Sequence, residues 1–595
     1  MDETFIKALL EKFARLNEWL RDKRKERLFF TLLILGFALL YYGSYYRHDL
    51  RFRDEGGTIA LGAQRLLNGE RPIVDVTLNY NVLWFYPVVA LFKWFGVNFV
   101  LMRAYFLALS AVTALIAFVA VNRAGRQPWI ALAVALLCVL VPGMIFKNYI
   151  PLLVVANSCL LMSVALAAPR TYRSFFLVTA GGVLVGLTFL IRIDLGIFFT
   201  ALWLGLHFLR MFDRAVPLFR KPLVFLAGSA LTIGLAWLVH LPVLKDAQAR
   251  GFEPQFTAQY RGWAHMIENG LRTKIGLPAL KYSVQQARPD RAADTPVFWK
   301  TEILRRNAWN DFTNAPDLET RVMVPLTYLP ILVIAILLGW TLVRLARGLR
   351  SSEPEAWRKP LAALVLLGGS LTAFPQFFFF RPDAPHLSEF SPGYWVGVTG
   401  AALLLGVFTG SWKTTTLPAR IFIGLLIAHA GLFLFRMMPD RWTGTIAARD
   451  FHDTRFTAAN GVDVYVSVKE KNALQALCKI VAESSKPGEY LVAYPYHPTI
   501  NVMTDRPTYE KDVYIDNSTR TRRWDEEAIK RFEKFQPAVI VLSDWAMNGH
   551  DGSRFSVWAA PTKKWIQANY EARGIFRTNV DEFEVFTRPT AKSPP

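Results

Sequence analysis

The 595 residues are 53% hydrophobic and 14% aromatic, with a formal net charge of +21. That is too apolar for a soluble multidomain protein and fits a polytopic membrane protein. The charge does not point to nucleic acid: residues 439–595 hold roughly 22 Lys/Arg against 21 Asp/Glu, so the excess lies in the apolar part of the chain, and no nucleic-acid-binding motif is present.

In chain order, residues 1–27 read as an amphipathic basic helix. Phe5, Ala8, Leu9, Phe13, Leu16 and Leu20 recur at helical spacing, and a charged run closes the segment at Arg27. This helix is expected to lie on the cytoplasmic face of the membrane. Its charged region is too long for a cleavable signal, and no small-residue cleavage site follows. The first span is expected at 28–46, and Arg51-Phe-Arg53-Asp54-Glu55-Gly-Gly57 follows on the far side. Residues 58–68 form a short helix, stopped by Asn68-Gly69 and Pro72. Residues 81–95 form a second short, aromatic helix. Both are too short to cross a bilayer and are expected at its interface.

Further spans are expected near 98–122, 128–145, 150–168, 175–191, 195–211, 223–243, 324–345, 360–379, 391–410 and 420–436, about eleven with the first. With the N-terminus inside, the inner loops carry Arg123 and Arg126, Arg170 and Arg173, Arg210 to Lys221, Arg344 to Lys359, and Lys413 with Arg420. All are basic, as the positive-inside rule requires, and an odd count places the C-terminus outside. The domain reading is therefore a cytoplasmic segment 1–27, a transmembrane domain 28–436 with outer loops 47–97 and 244–323, and a soluble domain 437–595. The loop 244–323 has the length of a lid or binding loop, although a plain connector fits equally. In 437–595, helix-like segments (470–485, 524–534, 561–571) alternate with strand-like ones (489–494, 537–543, 574–578, 583–588), which predicts an extracytoplasmic α/β domain. It has no phosphate loop or nucleophile elbow. Cys138 and Cys159 lie in spans and Cys478 is alone in the tail, so their spacing makes neither a disulfide framework nor a metal cluster.

The ionisable residues at outer span ends are few: Asp54 and Glu55, Lys147, Arg192 and Asp194, and Arg381, Asp383 and His386. Ionisable groups at membrane depth are costly and usually have a task. Taken singly, each pair reads as an interfacial anchor, and Asp54-Glu55 as a helix cap. Gathered on one face, they suit transfer of a sugar from a lipid phosphate. A carboxylate accepts the proton of the attacking hydroxyl. The phosphate leaves without a general acid and needs only Arg or Lys to hold its charge. The outer acids can also hold a divalent cation, although no ligand spacing demands one.

The order of elements over roughly 28–245 resembles the GT-C membrane glycosyltransferases. The resemblance is carried by Asp54-Glu55 in the first outer loop, the short helix ending Arg65-Leu-Leu-Asn-Gly69, the Tyr80-Asn-Val-Leu-Trp-Phe-Tyr86 segment, and Phe92-Lys-Trp-Phe-Gly96 leading to Met102-Arg103. The loop Arg381-Pro-Asp383-Ala-Pro-His386 and the soluble tail are similar to bacterial members. The chain is closest to the protein O-mannosyltransferase, lipid A aminoarabinose transferase and rhizobial galacturonosyltransferase types. It departs from them at Tyr80-Asn-Val, where many members have Pro-Pro or Gly-Pro. The resemblance implies a bacterial inner-membrane hexosyl- or pentosyltransferase with a polyprenyl-phosphate sugar donor and Asp54 as the catalytic base. Glu55 is expected beside it. Arg53, Tyr80, Lys147, Arg192, Asp194, Arg381, Asp383 and His386 are expected to bind substrate. The acceptor is an envelope glycan, lipid or protein. The competing readings are a flippase or transporter of lipid-linked sugars, and a non-catalytic assembly protein of the envelope.

Overall fold

The computed structural model describes residues 22–50, 55–72, 75–78, 81–142, 146–167, 172–213, 216–249, 272, 277–278, 318–351, 353–374, 384–407, 417–437, 452–512, 515, 523–546, 551–578 and 582–589. The expected arm over 1–21 and most of the loop 244–323 lie outside these residues. The chain is a polytopic helical membrane protein. Its first helix, α1 (Lys23–Gly43), begins where the side chain of Asp22 accepts from Arg24 N at 2.8 Å. It starts and ends a few residues earlier than the apolar run. Two short helices follow, α2 (Glu55–Leu67) and α3 (Tyr86–Phe95). Gly69, with φ +88°, follows the end of α2 in the left-handed conformation that glycine adopts without cost.

The bundle continues with α4 (Phe99–Gly125), α5 (Pro128–Leu140), α6 (Tyr149–Leu166), α7 (Tyr172–Ile191), α8 (Ile193–Leu209), α9 (Lys221–Ala249), α10 (Leu318–Arg350) and α11 (Pro354–Ser370). The short α12 (Ala384–Ser388) precedes α13 (Ser391–Leu404) and α14 (Leu417–Met437). A described helix overlaps each of the eleven expected segments, several of them over only part of their length. Among the described residues, seven helices are long and apolar enough to cross a membrane: α1, α4 and α6 to α10. Helices α5, α11 and α13 have 13, 17 and 14 residues, which at about 1.5 Å per residue is less than a hydrocarbon core of roughly 30 Å. All of α13 is buried, so it is a core helix of the bundle and not a lipid-facing one. It packs on α11 through small residues. A Cβ on Gly397 would lie 2.6 Å from Leu366 O, and one on Gly400 2.8 Å from Leu366 Cδ1.

Contacts sort the helix ends into two groups. At one end Asn122 donates to Glu26 at 3.0 Å, Arg210 donates to Ala167 O at 3.3 Å, and Arg358 pairs with Asp213 at 2.9 Å. At the other end lie residues 44–50, the turns before α6 and α8, and the approach to α13.

The last part of the chain forms a hairpin, β1 (Thr454–Thr457) with β2 (Asp463–Val466), then α15 (Val468–Ser484), β3 (Leu491–Tyr494), α16 (Pro498–Thr504), α17 (Trp524–Phe535), β4 (Val539–Ser543), α18 (Phe555–Trp558), α19 (Ala560–Asn569), β5 (Glu571–Arg577) and β6 (Glu582–Thr587). Its sheet runs β3-β4-β6-β5, with β3 and β4 parallel and the other pairs antiparallel. Alternation along β4 serves two layers. Ile540 and Leu542 join Trp524, Phe532 and Trp558 on one face, while Val539 and Val541 join the core that continues through Ile500 and Val502 of α16. Ser467 and Glu470 form a capping box at the start of α15. This unit packs directly on α2, whose Ile59, Ala60, Leu61 and Ala63 are buried. Expected at the membrane interface, α2 is covered by this unit.

Candidate active site

The site grows from the chain that leaves α1. Tyr45, Asp49 and Leu50 are buried there, and Asp49 has φ +70°, a left-handed conformation that Asp tolerates better than most residues. Arg103, one turn into α4 and 1% exposed, donates to Asp49 O at 2.6 Å and His48 O at 3.3 Å. Its guanidinium lies 4.9 Å from the centre of the Phe99 ring. Arg103 therefore anchors the backbone just upstream of the acidic loop. Arg53 and Asp54 lie outside the described residues, as do Tyr80, Arg381 and Asp383. Glu55 opens α2, and its side chain is likewise outside them.

The structure brings the remaining candidates into two adjoining pairs. Lys147 lies in the turn before α6. Its Nζ is 3.3 Å from His386 Nε2 on α12 and 3.3 Å from Glu389 Oε1, and the Lys and Glu side chains are 14% and 4% exposed. Arg192, between α7 and α8, donates Nε to Asp194 at 2.9 and 3.1 Å. Its guanidinium lies 5.4 Å from the centre of the Phe390 ring. Glu389 and Phe390 are adjacent in sequence, so one short stretch links the two cations.

Phe390 also lines a cavity of about 140 Å³ whose wall is almost wholly apolar, with Ile334, Leu338, Phe374 and Leu387 among its residues. Tyr394 lines it too. It is 3% exposed, and its hydroxyl has no hydrogen-bond partner among the described residues. Residues 81–84 tie this region to the first outer loop. Asn81 Nδ2 donates to Phe189 O at 3.4 Å, near Arg192. Trp84 Nε1 donates to Phe146 O at 3.1 Å, beside Lys147. Two cations, each paired with a carboxylate, thus stand next to Glu389-Phe390, and Phe390 borders the apolar space. Among the described residues, no group of three or more His, Cys, Asp or Glu could hold a metal ion.

No family model matches the chain, and no curated protein matches it. Solved structures do. One is the archaeal oligosaccharyltransferase AglB from Archaeoglobus fulgidus in complex with an inhibitory peptide and a dolichol-phosphate, at 13% identity and TM-score 0.49, covering 97% of this chain and 75% of that one. Another is ArnT from Cupriavidus metallidurans bound to undecaprenyl phosphate, at 12% identity and TM-score 0.45, covering 96% of this chain and 99% of that one.

Sequence reasoning placed Lys147, Arg192, Asp194 and His386 at span ends, and the structure joins Lys147 to His386 and Arg192 to Asp194. It did not single out Glu389. The available signal was an acid set in Leu-Ser-Glu389-Phe-Ser, directly before an apolar helix, where an unmatched charge is costly. At the contact with the last unit, the Arg455 guanidinium bonded to Asp463, with Arg47 beside it, holds that carboxyl below the usual range. Burial pushes the Glu510 carboxyl up against the opposing pull of Arg531.

Proposed function

We propose that this protein is a membrane glycosyltransferase of the inverting kind. It takes a sugar from a polyprenyl-phosphate donor and passes it to an extracytoplasmic acceptor of the cell envelope. The observation that carries this reading is the placing of Lys147 and Arg192 beside Glu389-Phe390, with Phe390 also lining the apolar cavity. A ligand suited to that place joins an anion to a hydrocarbon chain. Arg and Lys hold phosphate oxygens through charge-assisted bonds, and a dry apolar wall strengthens them.

In the reaction, the acceptor hydroxyl attacks the anomeric carbon of the donor sugar from the face opposite the phosphate. Asp54 takes the hydroxyl proton, the new glycosidic bond forms, and the bond to the phosphate oxygen breaks. Lys147 and Arg192 stabilise the charge that develops on the departing phosphate. Arg381 is assigned to the same anion, while Asp383, Tyr80 and Arg53 are assigned to the sugar and its approach. Glu55 supports Asp54, and a divalent cation held by this acidic pair is compatible with the same chemistry.

The orientation belongs to the proposal as well. Arg123, Arg126, Arg210, Lys221, Arg350 and Lys359 lie at the bundle end opposite the site. The positive-inside rule then puts the N-terminus in the cytoplasm of a bacterial inner membrane and the site on the outer side. The deciding experiment is an in-vitro transfer assay with the purified protein in lipid, polyprenyl-phosphate sugars as donors and envelope extracts as acceptors. Transfer that is abolished by Asp54→Asn supports the reading. Donor binding without any transfer to a complete set of envelope fractions overturns it.

A further inference from the structure

The segment that carries Asp54 is gripped on both sides by the last unit of the chain. Upstream, residues 47–49 run beside β2 as an added strand. Tyr465 N donates to Arg47 O at 2.8 Å and Asp49 N donates to Tyr465 O at 2.8 Å. His48 and Tyr465 form a parallel bridge, with their rings stacked 4.9 Å apart at 17°. Arg47 Nη1 donates to Asp463 at 2.8 Å. A buried knot of charge lies behind this strand. His452 Nε2 is 3.5 Å from Glu470 Oε2 and 3.9 Å from Asp49 Oδ1, and the three residues are 3%, 5% and 8% exposed.

Downstream, α2 is held by α16 and the chain beyond it. A Cβ on Gly57 would lie 2.6 Å from Thr499 N and 2.9 Å from Thr499 Cα, so the two backbones touch where only glycine fits. Thr58 Oγ1 donates to the Tyr496 hydroxyl at 3.1 Å, Gln64 Nε2 to Asp505 Oδ1 at 3.1 Å, and Arg65 Nη1 to Glu510 O at 2.7 Å. The gripping unit is itself fixed to the bundle, because Phe99 N donates to Asn460 O at 2.9 Å at the start of α4.

We propose that the last unit is a clamp that sets the position of the catalytic base, with Tyr465 and Thr499 as positioning residues at its two jaws. The inference rests on the reading of Asp54 as the base. A catalytic base works only within a narrow range of positions, and a displacement of about an ångström costs on the order of a hundredfold in rate. Pinning residues 47–49 and 57–65 to one rigid body narrows that range without touching the phosphate cations. The clamp is therefore part of the transferase machinery and not an acceptor-recognition module appended to it.

The test uses the full-length protein in lipid and three variants, Tyr465→Ala, Tyr465→Phe and Gly57→Ala. Four quantities are read: kcat, affinity for the sugar-free polyprenyl phosphate, melting temperature, and the rate of tryptic cleavage after Arg51 and Arg53. Tyr465→Ala and Gly57→Ala are expected to lower kcat about tenfold or more while donor-phosphate affinity stays within roughly twofold. Cleavage after Arg51 and Arg53 is expected to speed up severalfold in both, and Tyr465→Phe, which keeps the stack, is expected to behave as wild type. Unchanged kcat and cleavage in both disruptive variants would overturn the clamp, as would faster cleavage with normal kcat. A parallel loss of kcat, lipid affinity and melting temperature would reduce these residues to a role in folding and overturn the clamp too. Transfer retained by Asp54→Asn overturns the base assignment and the clamp with it, whereas transfer lost in Asp54→Asn with normal kcat in Tyr465→Ala and Gly57→Ala overturns the clamp alone.

Discussion

Lys147 carries a charge into a place where an unmatched charge is costly, and Glu389 is what matches it. Lys147→Met removes a cation paired with the Glu389 carboxylate, which is 4% exposed; loss of one member of a buried pair costs roughly 3–5 kcal/mol. The double variant Lys147→Met/Glu389→Leu is expected to recover most of that stability in thermal melting, because apolar residues can replace a buried pair. Donor affinity is expected to stay weak in both, by on the order of 1.5–3 kcal/mol in a lipid-phosphate titration. Recovery of affinity in the double variant would make the pair structural. For Asp54, the decisive change is Asp54→Asn, which keeps shape and helix-capping ability but removes basicity. It is expected to slow the chemical step by about a hundredfold or more with donor affinity retained. Near-normal turnover would return the residue to a capping role. At this scale the sequence revealed the charges that break an apolar run, and hid their partners. Lys147 and His386 stand 239 positions apart, and no local pattern pairs them.

Helices were legible because an apolar run of eighteen or more residues has few other solutions in a membrane. Their ends were less so. The windows that suggested full spans at 360–379 and 391–410 fall on helices of 17 and 14 described residues, since hydropathy also counts an apolar turn such as the one at Leu405 as span. The β1–β2 hairpin was missed, although Asn460-Gly461 announces it: both have positive φ, 55° and 63°, as a tight hairpin connection demands. Close packing of α13 on α11 gives a prediction. Gly397→Leu drives a side chain into the Leu366 carbonyl, and overpacking of this kind costs about 1–3 kcal/mol. Because α13 also carries Tyr394 of the cavity, donor affinity is expected to fall with the melting temperature. An unchanged melting temperature would contradict the packing. The β2 contact has a pH signature. Asp463 titrates below its ordinary range, so the stability it contributes is complete above the unfolded value and is lost as pH falls through the folded one. Asp463→Asn is expected to lower the melting temperature at neutral and alkaline pH and to converge on wild type as the pH falls through the folded value, which flattens the acid limb of the profile.

Across the whole molecule, charge is sorted by end, with basic helix ends on one side of the bundle and the candidate site with its clamp on the other. Reporter fusions after Asn460 are expected to be active outside the cytoplasm and silent within it, and cytoplasmic activity would invert the whole arrangement. The helical membrane part was readable from apolar runs and loop charges, whereas the seating of the last unit on the first loop was not. Arg47 meets Asp463 across 416 positions, Thr58 meets Tyr496 across 438, and Arg65 meets Glu510 across 445. That separation has a consequence in time. A ribosome adding about 5–20 residues per second finishes the first outer loop on the order of tens of seconds before it makes the strand and helix that seat it. Through most of that interval Glu389 and Phe390 of the anion site are also still to come, and it is Arg103 of α4 that holds residues 48 and 49. The order of translation thus keeps the nascent chain idle until nearly all of it has been made.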